Sequence, residues 1–530
     1  MKFFKLFFAT ILLHLPFIAL AQSGLENPIS KAIMKVYDKQ LEDDPQDYET
    51  YFKRAIEYYN YNQYAKALSD IDNALKYIPA GESDIKFQSL CMRASIYEMT
   101  EEYYKALIDL NEAYRLDPSS YTVIYRKANA EYLTNDYAKA KQDYQRLLSI
   151  NPRSVEAYIG LSRIAIIDNN LALANEYADN AVALAPSEAD AYIRRASIRK
   201  MIGNNTGAVD DLILALSTGK NNSKALFELV EMGKTDYNAV ISGLSNAIYQ
   251  APNVGMYYYI RGIIASAHFN YVVALADFKK IIHENLYNYH GLYCEVAKCQ
   301  YALGDYEEAI YNINFAINLS AENSEYYVVK SNILRALGRS AEALECCNIA
   351  LEKAPNLTSA IALKGLCHSD LCDYEQAIVL FGEATLNDAN NPLYYMLRAE
   401  IQNKQMKQES AANAIYERVI NLNFDENDVK SFKGFALLAL GRHDEATLWM
   451  ENILKNTTDN NGQINYYGAC FYAQAGDSDL AFDCMKKSLQ NGYANYYQWT
   501  CDGDANVNVA PIREDSRFKE MLAQYASIFK

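Results

Sequence analysis

Apolar and polar positions along this chain follow the period of an α-helix, in segments of about a dozen residues separated by short polar turns. The segments come in pairs, and nearly the same seven letters recur where the second member of a pair begins. Residues 304–310 read GDYEEAI, and residues 372–378 read CDYEQAI. The pattern predicts a chain that runs helix, turn, helix, turn.

Small residues give the register of this repeated unit. The Ala that closes each Tyr-x-x-Ala, or its equivalent, has a second small residue twelve positions upstream. The upstream members are Ala55, Ala94, Ala128, Ser162, Ala196, Gly262, Ala297, Ser331, Gly365, Ala399, Gly434 and Ala469. The downstream members are Ala67, Ala106, Ala140, Ala174, Ala208, Ala274, Ala309, Ala343, Ala377, Ala411, Ala446 and Ala481. Successive units lie 34 or 35 residues apart, except for a first step of 39 and one gap of 66. The extra length of the first step is predicted to lie in the turn-like residues 80–84, and the gap has room for one degenerate unit.

Paired small residues let the two helices of a unit pack closely, while larger residues fill the space around the contact. Each pair also covers apolar surface that its neighbour leaves open. Several units end at a proline: Pro79, Pro118, Pro152, Pro186, Pro252 and Pro355. The period, the paired small residues, the Tyr-x-x-Ala and the closing proline together resemble the tetratricopeptide repeat family over roughly nine tenths of the chain after residue 21. The family's Trp near the start of the first helix is usually Tyr here, as at Tyr158 and Tyr192.

The resemblance implies an all-α, right-handed superhelical solenoid of antiparallel helix hairpins, with about 13 units and terminal capping helices. The predicted boundaries are a signal peptide at 1–21, a capping helix at 28–46, five repeats at 47–220, a degenerate repeat and candidate bend at 221–252, seven repeats at 253–490, and a C-terminal cap at 491–530. In that cap Arg513, Asp515, Arg517 and Phe518 resemble the closing segment of exported bacterial repeat arrays.

The first 21 residues place two Lys before an apolar run and end in Ala-Leu-Ala, as a secretory signal peptide does. The run contains His14 and Pro16 and is shorter than the ~20 apolar residues that a membrane span needs. We therefore expect cleavage after Ala21 and export. The periplasm of a Gram-negative bacterium is favoured over full secretion, and peripheral association with an envelope complex is a further option.

The charge of the mature chain disfavours nucleic acid as a partner. The net charge is −16, and removing the first 21 residues with their two Lys leaves 48 basic and 66 acidic residues, or −18. Nucleic-acid binding needs basic residues that release phosphate counterions.

The sequence predicts no catalytic residue, no cofactor and no metal site, and hence no enzyme. The loop that begins at Asp502 opens like a calcium-binding EF-hand loop, but Val507 and Arg513 stand where that loop needs Gly and Glu. His290 and Cys294 have the spacing of a zinc pair without further ligands nearby to close the site. The ten Cys residues are expected to be mostly buried thiols, with Cys470 and Cys484 the first pair to examine for a disulfide.

The resemblance implies that the first helix of each unit lines a concave groove that binds a protein or a peptide. The predicted partner-binding residues are Phe52, Ile56, Tyr59, Tyr125, Asn129, Tyr132, Arg163, Tyr259, Lys298, Tyr301, Asn332 and Arg335. The Lys and Asn clamp that holds chaperone C-termini is not expected, because Tyr125 and Val328 stand where a Lys is required. We predict a non-enzymatic scaffold or adaptor in the cell envelope. The alternative is an accessory protein that binds a small peptide or a carbohydrate in the groove.

Overall fold

The computed structural model of the protein describes residues 28–218, 222–287, 289, 291–422, 427–501 and 507–530, and every regular element in these ranges is helical. The predicted signal peptide lies outside them. Helix α1 (Pro28–Asp43) falls within the predicted N-terminal cap. Five helix pairs follow: α2 (Tyr48–Asn60) with α3 (Tyr64–Tyr77), α4 (Ser83–Met99) with α5 (Tyr103–Leu116), α6 (Tyr121–Leu133) with α7 (Tyr137–Ile150), α8 (Val155–Ile167) with α9 (Leu171–Leu184), and α10 (Ala189–Met201) with α11 (Asn205–Ser217).

Helices α12 (Asn222–Thr235) and α13 (Tyr237–Gln250) occupy the stretch predicted as a degenerate repeat. Seven pairs follow: α14 (Gly255–Ala267) with α15 (Tyr271–Glu284), α16 (Leu292–Leu303) with α17 (Tyr306–Leu319), α18 (Ser324–Ala336) with α19 (Ser340–Lys353), α20 (Thr358–Asp370) with α21 (Tyr374–Asn387), α22 (Pro392–Glu400) with α23 (Glu409–Ile420), α24 (Asn427–Ala439) with α25 (His443–Asn456), and α26 (Gln463–Ala475) with α27 (Ser478–Gln490). Helices α28 (Tyr496–Thr500) and α29 (Ser516–Gln524) end the chain. The all-α fold of about thirteen consecutive helix pairs is confirmed.

The small residues that gave the register are buried where the two helices of a pair meet, with one exception. Ala411 is exposed, and its neighbour Ala412 is buried in its place. The prediction of Ala411 is therefore wrong by one position. A π-helical turn, Ile401–Gln405, joins α22 to the following turn and accommodates one extra residue, which shifts the register of α23.

The extra residues of the first step lie in a different place from the one predicted. Residues 83 and 84, predicted as part of a turn, belong to α4, which has 17 residues where the first helices α6, α8 and α10 have 13. Four of the five extra residues thus lengthen a helix. The turn between α3 and α4 gains only one residue.

The turn between the helices of a pair places one residue in the left-handed region, which explains the repeated Asn and Gly just before the motif Tyr. Asn62 has φ 58° and Gly304 has φ 86°. Gly adopts this conformation without strain, and Asn is tolerated there. Phe269 has φ 60° at the equivalent position, which is unfavourable for a bulky residue.

Ion pairs that we did not predict join the two helices within several pairs. A basic residue one position before the upstream small residue bonds to an Asp sixteen positions later. Arg93 donates from Nε and Nη2 to the buried carboxylate of Asp109 at 2.8 and 2.6 Å. The same spacing recurs in Arg54–Asp70, Lys127–Asp143, Arg195–Asp211 and Arg261–Asp277. Asp143 is partly exposed, and the other four carboxylates are buried, where these hydrogen bonds offset the cost of burying a charge.

The chain forms two compact units, one ending at Leu229 and one beginning at Val230, within α12. We call them the N-terminal and the C-terminal unit. In the C-terminal unit a closing segment, residues 491–501, packs against both the last and the first helix pairs. Trp499 is fully buried and lies edge-on to Tyr466 of α26, with ring centroids 4.9 Å apart. Tyr493 contacts Phe269, more than two hundred residues earlier, with ring centroids 4.6 Å apart.

Candidate functional site

The first helices of successive pairs lie side by side in the N-terminal unit. Helix α2 contacts α4, α6 contacts α8, and α8 contacts α10, in addition to the contacts that each makes with its own partner helix. We call the surface that these helices share the first-helix face. Side chains from different repeats meet on it, as the family resemblance implies for the binding surface.

Three predicted residues of α6 lie on this face and are partly exposed: Tyr125, Asn129 and Tyr132. Tyr132 packs edge-on against Tyr137 of the next helix at 5.6 Å. In α2, the predicted residues Phe52, Ile56 and Tyr59 are also partly exposed, and Tyr59 packs against Tyr64 in the same way at 5.6 Å. Because these aromatic rings are partly exposed, the first-helix face offers aromatic surface for contact with a partner.

A buried tyrosine supports the middle of the face. Tyr144 of α7 is fully buried, and its hydroxyl donates to Oδ1 of Asn129 at 2.7 Å. Its ring lies directly over Gly160 of α8, where an added Cβ would come within 2.6 Å of ring atom Cε2. Burial raises the pKa of Tyr144, so its hydroxyl stays protonated and remains a donor. Gly160 therefore makes room for a side chain that orients Asn129.

Two arginines from adjacent repeats lie beside this support. Arg163 of α8 stands over the ring of Tyr132, with Cζ 5.9 Å from the ring centroid. Arg194 of α10 is partly buried, and burial together with the charge of Arg163 lowers its pKa. The Nε atoms of both arginines are buried without a hydrogen-bond partner. Arg194 was not predicted from the sequence.

Neighbouring basic residues are paired, in contrast to these two. Arg195 donates to Asp211 at 2.6 Å and to Asp179 at 2.9 Å. Arg126 bonds to the carboxylate of Glu98. Arg163 and Arg194 therefore stand out on the first-helix face as two cations that no carboxylate of the described chain neutralises at ion-pair distance.

The predicted residues of the C-terminal unit are engaged within the chain. Tyr259 is 7% exposed, among the rings of Tyr287 and Tyr289. Tyr301 contacts the ring of Tyr497 in the closing segment, with centroids 4.7 Å apart.

Three more predicted residues of this unit make contacts of their own. Lys298 bonds to Glu295 at 2.9 Å, and Arg335 bonds to Asp370 at 2.7 and 3.0 Å. Asn332 donates to the carbonyl of Val328 in its own helix at 3.3 Å. The structure thus brings Arg163 together with Tyr132 in the N-terminal unit. In the C-terminal unit it buries Tyr259, while Lys298, Tyr301, Asn332 and Arg335 make contacts within the chain and stay partly exposed.

Glycine also permits the close contact made by the closing segment. A Cβ at Gly304 would come within 2.8 Å of the ring of Tyr496.

In the C-terminal cap, Asp515 caps α29, Arg517 donates to Asp479 at 2.7 Å, and Phe518 is buried. These residues, predicted to close the array, contact its last helix pair.

The remaining sequence candidates concern metal ions, thiols and membrane spans. In the ranges that the structure describes, no three His, Cys, Asp or Glu side chains are placed to hold a metal ion. The calcium-like residues 502–506 and His290 of the zinc-like pair lie outside the described residues. All ten Cys are free thiols, including the buried Cys470 and Cys484, and Cys372 is exposed. Within the same ranges, no helix has the length and apolar character needed to cross a bilayer.

Two family models, both for the tetratricopeptide repeat, match the chain at residues 87–120 and 125–189. The chain therefore contains tetratricopeptide repeats in the unit that carries the arginines. DnaJ homolog subfamily C member 7 is 24% identical over 249 residues in Mus musculus and 26% identical over 219 residues in Homo sapiens. These alignments cover 43% and 37% of this chain, and 46% and 40% of the relatives, so the chain spans less than half of their length.

Among solved structures, yeast Tom70 covers 77% of this chain and 99% of its own, with 15% identity and a TM-score of 0.36. A thermophilic tetratricopeptide repeat protein from Thermus thermophilus covers 35% of this chain and 99% of its own, with 20% identity and a TM-score of 0.32. YrrB, a tetratricopeptide repeat protein with an unusual peptide-binding site, covers 36% and 96%, with 19% identity and a TM-score of 0.29.

Proposed function

We propose that this chain is a non-enzymatic scaffold or adaptor of the cell envelope, which binds a partner protein or peptide along the first-helix face of its N-terminal unit. Tetratricopeptide repeats are protein-interaction scaffolds that use such a face. The placement on this unit is supported by the aromatic and amide side chains that stay partly exposed on α2 and α6. In the C-terminal unit, the predicted Tyr259 is buried and Tyr301 packs against Tyr497 of the closing segment.

The proposed location in the envelope is supported by the signal-peptide pattern of residues 1–21. The periplasm of a Gram-negative bacterium fits that pattern, with peripheral attachment to an envelope complex as one arrangement. N-terminal sequencing of the protein recovered from separated cell fractions tests this part. We expect a periplasmic chain that begins at Gln22, and a cytoplasmic chain that begins at Met1 would contradict export.

Binding is tested by crosslinking capture from an envelope extract with the chain 22–530. The test variant carries Tyr125→Ala and Tyr132→Ala on the first-helix face. The matched control carries Tyr104→Ala and Tyr249→Ala, two tyrosines that are 71% and 87% exposed on second helices. We expect the test variant to lose the captured partner and the control to keep it. Equal capture by both variants would show that the partner does not bind on the first-helix face.

The second candidate function is an accessory protein for a small peptide or a carbohydrate. The same exposed aromatic side chains support it, because tyrosine rings also contact sugars and short peptides. A protein partner increases the size of the particle in extracts, whereas a small ligand raises only the melting temperature. Size-exclusion chromatography of the extract beside thermal melts of the purified chain separates the two.

A further inference from the structure

Two cysteines face each other across the boundary between two repeats of the C-terminal unit. Cys347 belongs to α19, the second helix of one pair, and Cys367 belongs to α20, the first helix of the next pair. Both side chains are fully buried. The Oγ atom of Ser331 lies 3.2 Å from the sulfur of Cys347 and 3.8 Å from that of Cys367. The two thiols are also hydrogen-bonded to each other, so sulfur atoms from neighbouring repeats meet at one point.

The repeat period shows that this contact differs from its equivalents. Cys347 stands four residues after the downstream small residue of its pair, and Cys367 stands two residues after the upstream small residue of the next pair. In other repeats the same two positions share a buried cluster and carry at least one Leu, Ile, Phe or Tyr. Such pairs are Leu110 with Ala130, Tyr144 with Ile164, Ala178 with Ile198, Ile313 with Ile333 and Phe381 with Ile401. At this boundary cysteine replaces both members of the contact at once.

Packing alone does not account for such a pair. A buried cysteine commonly acts as a small apolar residue. Two cysteines, however, have less apolar volume than Ile with Ile or Phe with Ile, and a smaller volume in a close-packed interior gives up stabilising contacts. A disulfide suits the smaller space, because it draws its two sulfur atoms to about 2.0 Å from each other.

The surroundings also make the two thiols unequal in acidity. The hydrogen bond that Cys347 donates lowers the pKa of Cys367 against the effect of burial, and the charge of Arg335 and the hydroxyl of Ser331 act in the same direction. The same hydrogen bond and burial raise the pKa of Cys347. Because the thiolate is the form that attacks a disulfide sulfur, Cys367 is the nucleophile of the pair.

We propose that Cys347 and Cys367 form a disulfide that joins the two repeats, made as the chain folds in the presence of a disulfide oxidant. Both residues are fully buried in the folded chain, so the oxidant reacts before the boundary closes over them. It forms a mixed disulfide with Cys347 and releases its first thiol. The Cys367 thiolate then attacks the Cys347 sulfur, the bond between the two cysteines forms, and the bond to the oxidant breaks. The two cysteines lose two protons and two electrons, and the oxidant takes them up as two thiols.

The bond ties α19 to α20 within the array. Contacts between neighbouring repeats hold such an array together, and Arg335 of α18 already bonds to Asp370 of α20 across the same boundary at 2.7 and 3.0 Å. A disulfide adds to this by closing a loop in the unfolded chain, which reduces the freedom of that state. The oxidised chain should therefore melt at a higher temperature than the reduced chain.

The test is disulfide mapping of the chain 22–530, refolded from the reduced, denatured state in a mixture of reduced and oxidised glutathione. The refolded protein is quenched with acid, denatured, and alkylated before and after reduction. We expect eight of the ten cysteines to be alkylated before reduction, and Cys347 and Cys367 only after it. Mass spectrometry of the unreduced peptides should show the two residues in one cross-linked species.

Serine variants identify the partners of the bond. Cys347→Ser and Cys367→Ser each remove one partner, so all nine remaining cysteines should be alkylated before reduction. Cys346→Ser is the matched control, because it changes the adjacent buried cysteine of the same cluster. It should keep the bond, with seven of nine cysteines alkylated before reduction. Reduction should lower the melting temperature of the native C-terminal unit, followed by tryptophan fluorescence, and should leave that of Cys347→Ser unchanged.

Three results would overturn the proposal: ten alkylated thiols in the refolded native chain, a bond between another pair such as Cys470 with Cys484, or an equal melting temperature before and after reduction. The count on the native chain stands even if a serine variant fails to fold. None of these measurements involves a partner, so the proposed function is tested separately by crosslinking capture.

Discussion

Adding one methyl group at Gly160 tests how the candidate site is built. A Cβ there would lie within 2.6 Å of Tyr144 Cε2, whereas non-bonded carbon atoms prefer about 3.5–4.0 Å. Tyr144 is fully buried, so its ring has no open space to enter. Moving it also breaks the 2.7 Å hydrogen bond to Asn129.

The magnitude follows from three contributions to the free energy of unfolding. Overpacking of this kind costs about 1–3 kcal/mol, and the lost hydrogen bond costs about 1 kcal/mol. Ala in place of Gly inside a helix returns about 0.5–1 kcal/mol. We therefore expect Gly160→Ala to destabilise the N-terminal unit by about 1–3 kcal/mol and to weaken the binding that depends on Asn129.

The assay is urea unfolding followed by far-UV circular dichroism and by tryptophan fluorescence. Both tryptophans of the chain, Trp449 and Trp499, lie in the C-terminal unit, so their transition should not change. Gly382→Ala is the matched control, because its Cβ would meet nothing closer than 3.6 Å, and it should stabilise by about 0.5–1 kcal/mol. Tyr144→Leu should recover part of the loss. Equal effects of the two glycine substitutions would show that Tyr144 does not need the space that Gly160 leaves open.

Three further predictions concern the rest of the fold. Trp499→Ala leaves a cavity at a fully buried site and should destabilise the C-terminal unit by about 3–5 kcal/mol, measured by urea unfolding with Trp449 fluorescence as the signal. A loss below about 1 kcal/mol would contradict the packing of the closing segment. Asp109→Asn should cost about 1–3 kcal/mol in the same unfolding assay, whereas Asp72→Asn, which removes the half-exposed partner of the same guanidinium, should cost less than about 1 kcal/mol. Burial lowers the pKa of His268 from its ordinary 6.5, so at a given pH the imidazole of the unfolded chain is protonated more fully than that of the folded chain. The free energy of unfolding should therefore fall as the pH drops below about 6.5. His268→Phe should flatten that part of the pH profile, and an unchanged profile would assign it to other groups.

The fold could be predicted from the sequence because one period repeats, and every repeat adds an independent observation of the same helix pair. The register failed at one point, where Ala411 and Ala412 are adjacent. Both residues are small, so the sequence does not distinguish which of them faces the partner helix. The π-helical turn that decides between them has no comparable sequence signature.

The contacts of the closing segment with Phe269 and Tyr301 could not be predicted, because they join residues about two hundred positions apart that share no local pattern. Phe269 was the one signal available, since the same turn position carries Asn or Gly in most other units. A bulky residue in the left-handed region costs about 1–2 kcal/mol. Its contact with Tyr493 accounts for a residue that the turn itself does not favour.

The candidate site was predicted in part. Tyr125, Asn129, Tyr132 and Arg163 follow from repeat position alone. Arg194 was missed because it stands beside Arg195 in the sequence, and only the structure separates the paired arginine from the unpaired one. Burial and pairing depend on neighbours from other helices, which the spacing within one helix does not reveal.

Site-specific photocrosslinking in intact cells shows which face of the N-terminal unit meets the partner, with a photoreactive amino acid placed at Tyr132 and, separately, at Tyr104 on the second-helix side. We predict a specific protein adduct from position 132 that weakens in the Tyr125→Ala background, and no such adduct from position 104. An adduct from position 104 alone, or the same adduct from both positions, would contradict binding along the first-helix face of the N-terminal unit.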